Sequence, residues 1–132
     1  MTSIVQNHYD GLAAGTLRAH QCTDCGALTF PMTTCCVECG CFTYDEVDLA
    51  GTGSLLFVSH NVAPATHPRF ADIAPYVFGH VMLDEGIVAQ GIIRDVDPTP
   101  ETISKMFAEG PVPVRVDPLE MADLPVLAFR VV

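Results

Sequence analysis

From Leu55 onward the chain alternates short apolar runs with turn residues: Leu55 to Ser59, Tyr76 to Leu83, Ile87 to Ile93, Val112 to Val116 and Val126 to Val132. Runs of this length, rich in Val, Ile and Phe and bounded by Gly, Pro and Asp, predict β-strands. Asp84-Glu85-Gly86 predicts a tight hairpin turn between the second and third runs, with the glycine supplying positive φ. Between the third and fourth runs, Ile103, Met106 and Phe107 fall at helical spacing behind Thr99-Pro100-Glu101. That predicts a short helix within Pro98 to Glu109, capped by Thr99. Five strands with a helix between the third and fourth predict an OB-fold barrel.

Upstream the pattern changes. Ile4, Val5, Tyr9, Leu12 and Ala13 have a loose helical spacing that ends at Gly15, which predicts a short amphipathic helix over Ile4 to Ala14. Leu28, Phe30 and Pro31 form an apolar rib suited to a short hairpin, and Cys41 to Asp48 is extended in character. Gly51-Thr52-Gly53-Ser54 marks a boundary. The expected organisation is therefore mainly β: residues 1–48 as a helix and cysteine ribbon, residues 49–132 as the barrel. The loop from Asn61 to Ala74, carrying Pro64, His67, Pro68, Arg69 and Phe70, is too long for a simple hairpin and is expected to contribute a surface.

The ribbon carries the most specific chemistry. Cys22-Thr-Asp-Cys25-Gly26 and Cys36-Val-Glu-Cys39-Gly40 share one pattern, C-x2-C-G. Two cysteines at this spacing turn both sulfurs toward one point, and the following glycine allows the left-handed backbone that closes the loop. Cys22, Cys25, Cys36 and Cys39 are thus the expected ligands of one tetrahedral metal ion. Zinc suits four thiolates, and iron suits the same geometry. A closed shell leaves no open position for water or substrate, so the ion is expected to be structural. Cys35 and Cys41 break the repeat and read as small buried filler, and His20 reads as solvent-facing cover.

Charge narrows the functions further. Sixteen Asp and Glu against six Lys and Arg give a formal net charge of -10, which repels nucleic acid. The chain has no Trp and no basic stripe interleaved with aromatics. Apolar residues make up 49% and charged residues 17%, an excess that predicts a surface covered by a partner. The first residues show no signal-peptide pattern, and no run approaches the ~18 apolar residues of a membrane helix. With reduced, metal-binding thiols the expected location is cytoplasmic, away from membranes.

Taken in order, Gly15-Thr16-Leu17, the segment CTDCGALTFPMTTCCVECG, Gly51-Thr52-Gly53-Ser54, Pro75-Tyr76-Val77, Val81 to Gly86 and Phe129-Arg130 resemble a known family. Its members are acyl-CoA-associated proteins with an amino-terminal rubredoxin-like zinc ribbon and a carboxy-terminal OB-fold. The resemblance implies a non-catalytic accessory subunit of a thiolase-like enzyme in a hetero-oligomer, with acyl-CoA shared with the catalytic partner. It departs at Met32, Thr33, Val37 and Cys41. Coenzyme A carries several phosphate charges, and this acidic chain is poorly suited to hold them alone. Arg69, followed by Phe70 and Tyr76, is the first candidate for a contact with acyl-CoA or the partner, ahead of Arg94 and Arg115.

No catalytic constellation is legible. Cys35 and Cys41 are the thiols outside the proposed site, and His60, His67 and His80 are the candidate bases. Three readings stay open: an accessory subunit, a stand-alone OB-fold module for a protein or small ligand, and a rubredoxin-like electron carrier.

Overall fold

The computed structural model describes residues 3–61, 67–121 and 123–132. Pro64 lies outside them. Helix α1 spans Ile4–Ala13 and starts where the Ser3 hydroxyl accepts a hydrogen bond from the Gln6 amide at 3.0 Å. It buries Leu12 and half-buries Tyr9 against the core. The chain then enters a three-stranded antiparallel sheet of order β2-β1-β3, with β1 at Leu17–Cys22, β2 at Leu28–Thr29 and β3 at Tyr44–Leu49. The hairpin expected around Leu28 is only two residues wide, because Phe30 turns inward and is buried.

The remaining strands are β4 (Thr52–Asn61), β5 (Tyr76–Leu83), β6 (Val88–Arg94), β7 (Pro113–Val116) and β8 (Ala128–Val131). They close a barrel in the order β4-β5-β6-β8-β7, with β7 paired back to β4 and β8 parallel to β6. Helix α2 spans Pro100–Ala108 between β6 and β7, and the Thr99 hydroxyl accepts from the Thr102 amide. Ile103, Met106 and Phe107 pack it on the core. Strand count, order and helix position are those of an OB-fold.

Of the Gly51–Ser54 boundary, Thr52 to Ser54 prove to be the start of β4. Thr52, Gly53 and Ser54 pair with Arg115, Val114 and Pro113, and that pairing closes the barrel. β3 ends at Leu49 and β4 starts at Thr52, yet ribbon and barrel share one core. Leu12, Leu17, Ala19, Phe30 and Leu49 belong to the same buried cluster as Val77, Val81, Ile93 and Phe129. Burying both undersides against each other supplies apolar contact that a ribbon of this size lacks alone. Among the described residues no helix is long and apolar enough to cross a membrane.

Candidate metal centre and outer barrel face

Cys22 is the last residue of β1, and the tight turn after it brings Cys25 to its side. The Gly26 amide donates to the Cys22 carbonyl at 3.0 Å, and the Gly40 amide does the same to the Cys36 carbonyl at 3.0 Å. Both glycines sit in the left-handed region, with φ of 79° and 78°. The two knuckles face each other so that all four sulfurs lie within 4.8 Å of one another. Cys22 Sγ is 3.6 Å from Cys39 Sγ, and Cys25 Sγ is 3.5 Å from Cys36 Sγ. Sulfurs at ~2.3 Å from a tetrahedral ion stand ~3.8 Å apart, so the spacing fits a metal such as zinc.

Backbone dipoles prepare one thiolate in each knuckle. The amides of Cys25 and Asp24 donate to Cys22 Sγ and hold its thiol down at about 6. The Cys39 and Glu38 amides lower Cys36 in the same way. Cys25 gains from the Ala27 amide, but its hydrogen bond with Cys36 and burial outweigh that and push it up. Cys39 gains from the Cys41 amide, yet its neighbouring thiols, Cys22 first, push it up to about 12. Four thiolates cannot share this space without a cation to offset their repulsion.

Two expectations around the ribbon are corrected. His20 is not solvent-facing: it is 4% exposed, donates from Nδ1 to the Thr33 carbonyl at 3.1 Å, and stacks on Tyr44. It lies diagonally across β1 and β3 from Tyr44, within reach of an aromatic cross-strand contact. Cys35 and Cys41 are half-buried rather than buried filler. They flank the second knuckle, whose neighbours Val37 and Phe42 are exposed, so the local surface is too open to enclose them. Cys41 Sγ lies 3.1 Å from Thr43 Oγ1.

The long loop and the barrel wall form a second feature. His67 caps the short 3-10 turn Pro68–Phe70 by accepting from the Arg69 amide at 3.0 Å, which accounts for its imidazole. Phe70, Tyr76 and Phe78 then follow one another in a ladder, with centroids 5.8 and 6.2 Å apart. They wall an open groove of about 510 Å³ that continues over Ile92 and Leu127. Its floor at Gly91 has no side chain, because a Cβ there would stand 2.9 Å from the Leu127 carbonyl oxygen. Phe70 and Tyr76 are therefore neighbours on one groove wall.

Arg69 is placed differently. Its guanidinium donates to both carboxylate oxygens of Asp123 at 3.2 Å and to the Leu124 carbonyl at 2.7 Å. It lies 5.5 Å from the centre of the Phe70 ring. The Arg69 hydrogen bond, with help from the Leu124 amide, holds the Asp123 carboxyl below its usual range. The pair ties the β4–β5 loop to the β7–β8 loop. Arg94 is also engaged, with the Asp117 carboxylate at 3.3 Å and the Pro118 carbonyl at 3.2 Å. Arg115 stands opposite Arg130 in the β7–β8 register.

Sequence reasoning missed the rest of this face. Along β5, Val77, Val81 and Leu83 point into the barrel while His80 and Met82 face out. Phe57 lies opposite His80, and Met82 lies opposite Val88. With Leu56 they form an exposed apolar strip beside the groove. The signal was present in Leu55-Leu56-Phe57-Val58, an unbroken apolar run where a strand with one wet face should alternate. A bulge between Leu55 and Phe57 turns adjacent residues Leu56 and Phe57 outward together.

A clustered four-cysteine ribbon joined to a closed five-stranded barrel defines an OB-fold protein with a metal-competent amino-terminal ribbon. Residues 46–117, more than half the chain, match the family described as "ChsH2, C-terminal OB-fold domain". The chain belongs to that family. It is 40% identical over 68 residues to a "Probable enoyl-CoA hydratase alpha subunit" of Thermomonospora curvata, covering 50% of this chain and 20% of that protein. It is 35% identical over 85 residues to a "DUF35 domain-containing scaffold protein" of Methanothermobacter thermautotrophicus, covering 62% and 61%. The matches thus span less than two thirds of those relatives' own lengths. A solved chain titled "Ltp2-ChsH2(DUF35) aldolase" superposes with a TM-score of 0.73 at 31% identity, covering 95% of this chain and 91% of that one.

Proposed function

We propose that this chain is a non-catalytic accessory subunit of an acyl-CoA enzyme of the thiolase type, acting as a docking module that shapes the partner's acyl-CoA or acceptor site. The observation that carries this reading is the apolar strip of Leu56, Phe57, Met82 and Val88, four large side chains exposed on consecutive strands of one barrel face. Contiguous apolar surface of this kind marks a protein contact. Similarity to an "Ltp2-ChsH2(DUF35) aldolase" and to two DUF35 domain-containing scaffold proteins supports the same reading.

In this reading Cys22, Cys25, Cys36 and Cys39 hold one zinc ion that fixes the ribbon over residues 1–48, and residues 49–132 present the docking face. Zinc supplies cross-linking here and no Lewis acid to a substrate, since four sulfurs complete its shell. The protein works in the cytoplasm, where its thiols stay reduced. Coexpression with a thiolase-like acyl-CoA enzyme tests the proposal. Co-elution on gel filtration and partner activity that depends on this chain are expected; separate elution with unchanged activity overturns it. A stand-alone binding module draws support from the aromatic groove, and it would bind a ligand without any partner. An electron carrier would require a red, iron-loaded protein in place of a colourless one with a single zinc.

A further inference from the structure

The groove between Phe70, Tyr76, Phe78, Ile92 and Leu127 sits where an OB-fold meets its ligands, on the second and third barrel strands between two flanking loops. Its size, about 510 Å³, lies within the ~300–1,000 Å³ usual for small-molecule sites. Its walls are aromatic and aliphatic, and Gln90 provides a polar side chain at the edge. The cation nearest in sequence to this wall is Arg69, whose charge lies beside the Phe70 ring. Such a guanidinium would ordinarily recruit phosphate or carboxylate. Asp123 accepts from its Nε and Nη2, one edge of the guanidinium, and the Leu124 carbonyl takes a further Nη2 donor.

We infer that Asp123 is a specificity-determining residue: by occupying Arg69 it reserves the groove for an uncharged, apolar chain and closes it to the phosphate end of an acyl ester. Three features support this. The same bond that cancels the charge also joins the two loops that frame the groove, so the site is preformed. The groove wall is apolar, with the Phe70–Tyr76–Phe78 ladder continuing over Ile92 and Leu127, which suits a flat or extended hydrocarbon. The chain's formal charge of -10 opposes a polyanion arriving anywhere on it without a local cation. The inference deepens the accessory-subunit reading, since it states which part of an acyl ester the barrel takes and which part it leaves to the partner.

The test uses the full, metal-loaded chain without a partner, so its outcome is independent of whether a partner exists. Decanol serves as the uncharged probe and coenzyme A without an acyl group as the charged one. Binding is followed by amide chemical shifts of Gln90, Gly91, Ile92 and Leu127. Decanol is expected to shift these amides in the native protein, while coenzyme A at equal concentration does not. Asp123→Asn keeps an oxygen acceptor to hold the loops but leaves the Arg69 charge uncancelled. It should raise coenzyme A affinity by about tenfold or more, the effect of one charge-assisted hydrogen bond. Arg69→Gln in that background should abolish the gain, and Phe78→Glu in the native chain should abolish decanol binding. Coenzyme A shifting the groove of the native protein as strongly as decanol would overturn the inference. So would an Asp123→Asn protein that still binds decanol but gains no affinity for coenzyme A. Decanol shifts confined to Leu56, Phe57 and Met82 would overturn the choice of site.

Discussion

The imidazole of His20 lies flat on the phenol ring of Tyr44, with centroids 3.6 Å apart and planes 11° from parallel. The stack bridges β1 and β3 just before Cys22, and the His20 bond to the Thr33 carbonyl reaches the segment between the knuckles. One side chain thus ties the ribbon sheet to the loop that carries the second pair of cysteines. His20→Ala should lose both the stack and the hydrogen bond, about 1–3 kcal/mol together. His20→Phe restores the stack and leaves the Thr33 carbonyl unpaired, so it should recover only part. Urea unfolding of the metal-loaded proteins measures the difference. An unchanged midpoint for His20→Ala would show that the contact carries no stability.

His20 also shows where sequence reasoning stops. The knuckles were legible because their pattern is local: two residues between cysteines and a glycine after them settle the turn. Strands β5 to β8 and the cap of α2 were legible for the same reason, being short apolar runs between turn residues. Thr52 to Ser54 were not, because their strand character comes from pairing with Pro113 to Arg115, about sixty residues away. Arg69 and Asp123 are 54 residues apart in sequence and carry no periodic signal, so only the folded barrel reveals their bond. The clustering of the four cysteines was therefore read from spacing, whereas the burial of His20 depended on a diagonal neighbour that spacing does not encode.

Metal removal should act on the ribbon first. The four sulfurs are held within 4.8 Å, and without a cation their thiolates repel. A chelator is expected to release one zinc per chain and to abolish the dispersed amide signals of residues 23–43. Cys22→Ser should lose the ion as well, while Cys41→Ser keeps it, because Cys41 lies outside the cluster. Zinc released by mercurial titration and counted with a colorimetric indicator checks each variant. Full zinc content in Cys22→Ser would falsify the ligand assignment.

His8 predicts a pH effect. Its Nδ1 is buried without a hydrogen-bond partner, and the ring packs against Tyr9 and Phe30 with centroids 5.2 and 5.8 Å away. Burial lowers its pKa from 6.5, so the folded protein holds the neutral form while the unfolded chain takes up a proton. Above the unfolded pKa both states are neutral and His8 contributes nothing to the slope. As pH falls below 6.5 the unfolded state gains the proton first, so stability declines until the folded-state value is reached. His8→Phe retains an aromatic ring and removes the proton. Its urea midpoint, compared with that of the native chain, should fall less between neutral and mildly acidic pH. Parallel declines for the two proteins would assign the effect to other groups.

The outer strip gives the sharpest separation between stability and function. Phe57 is 54% exposed and Met82 36% exposed, and both point away from the barrel core. Charged replacements there leave the packing of Val58, Val81 and Leu83 intact, and a surface change of this kind ordinarily moves stability by less than about 0.5 kcal/mol. At a docking contact the same change buries an unpaired charge, which costs several-fold more. Phe57→Glu and Met82→Glu should therefore keep zinc content and thermal midpoint near those of the native chain while weakening association with a thiolase-like partner by about tenfold or more. Lys105→Glu, on the exposed side of α2, provides a surface change away from the strip and should leave association unaltered. Native-strength association in both strip variants would move the contact off this barrel face and onto the exposed ribbon tip at Val37 and Phe42. Paired measurements of midpoint and affinity on the same preparations decide between the two surfaces.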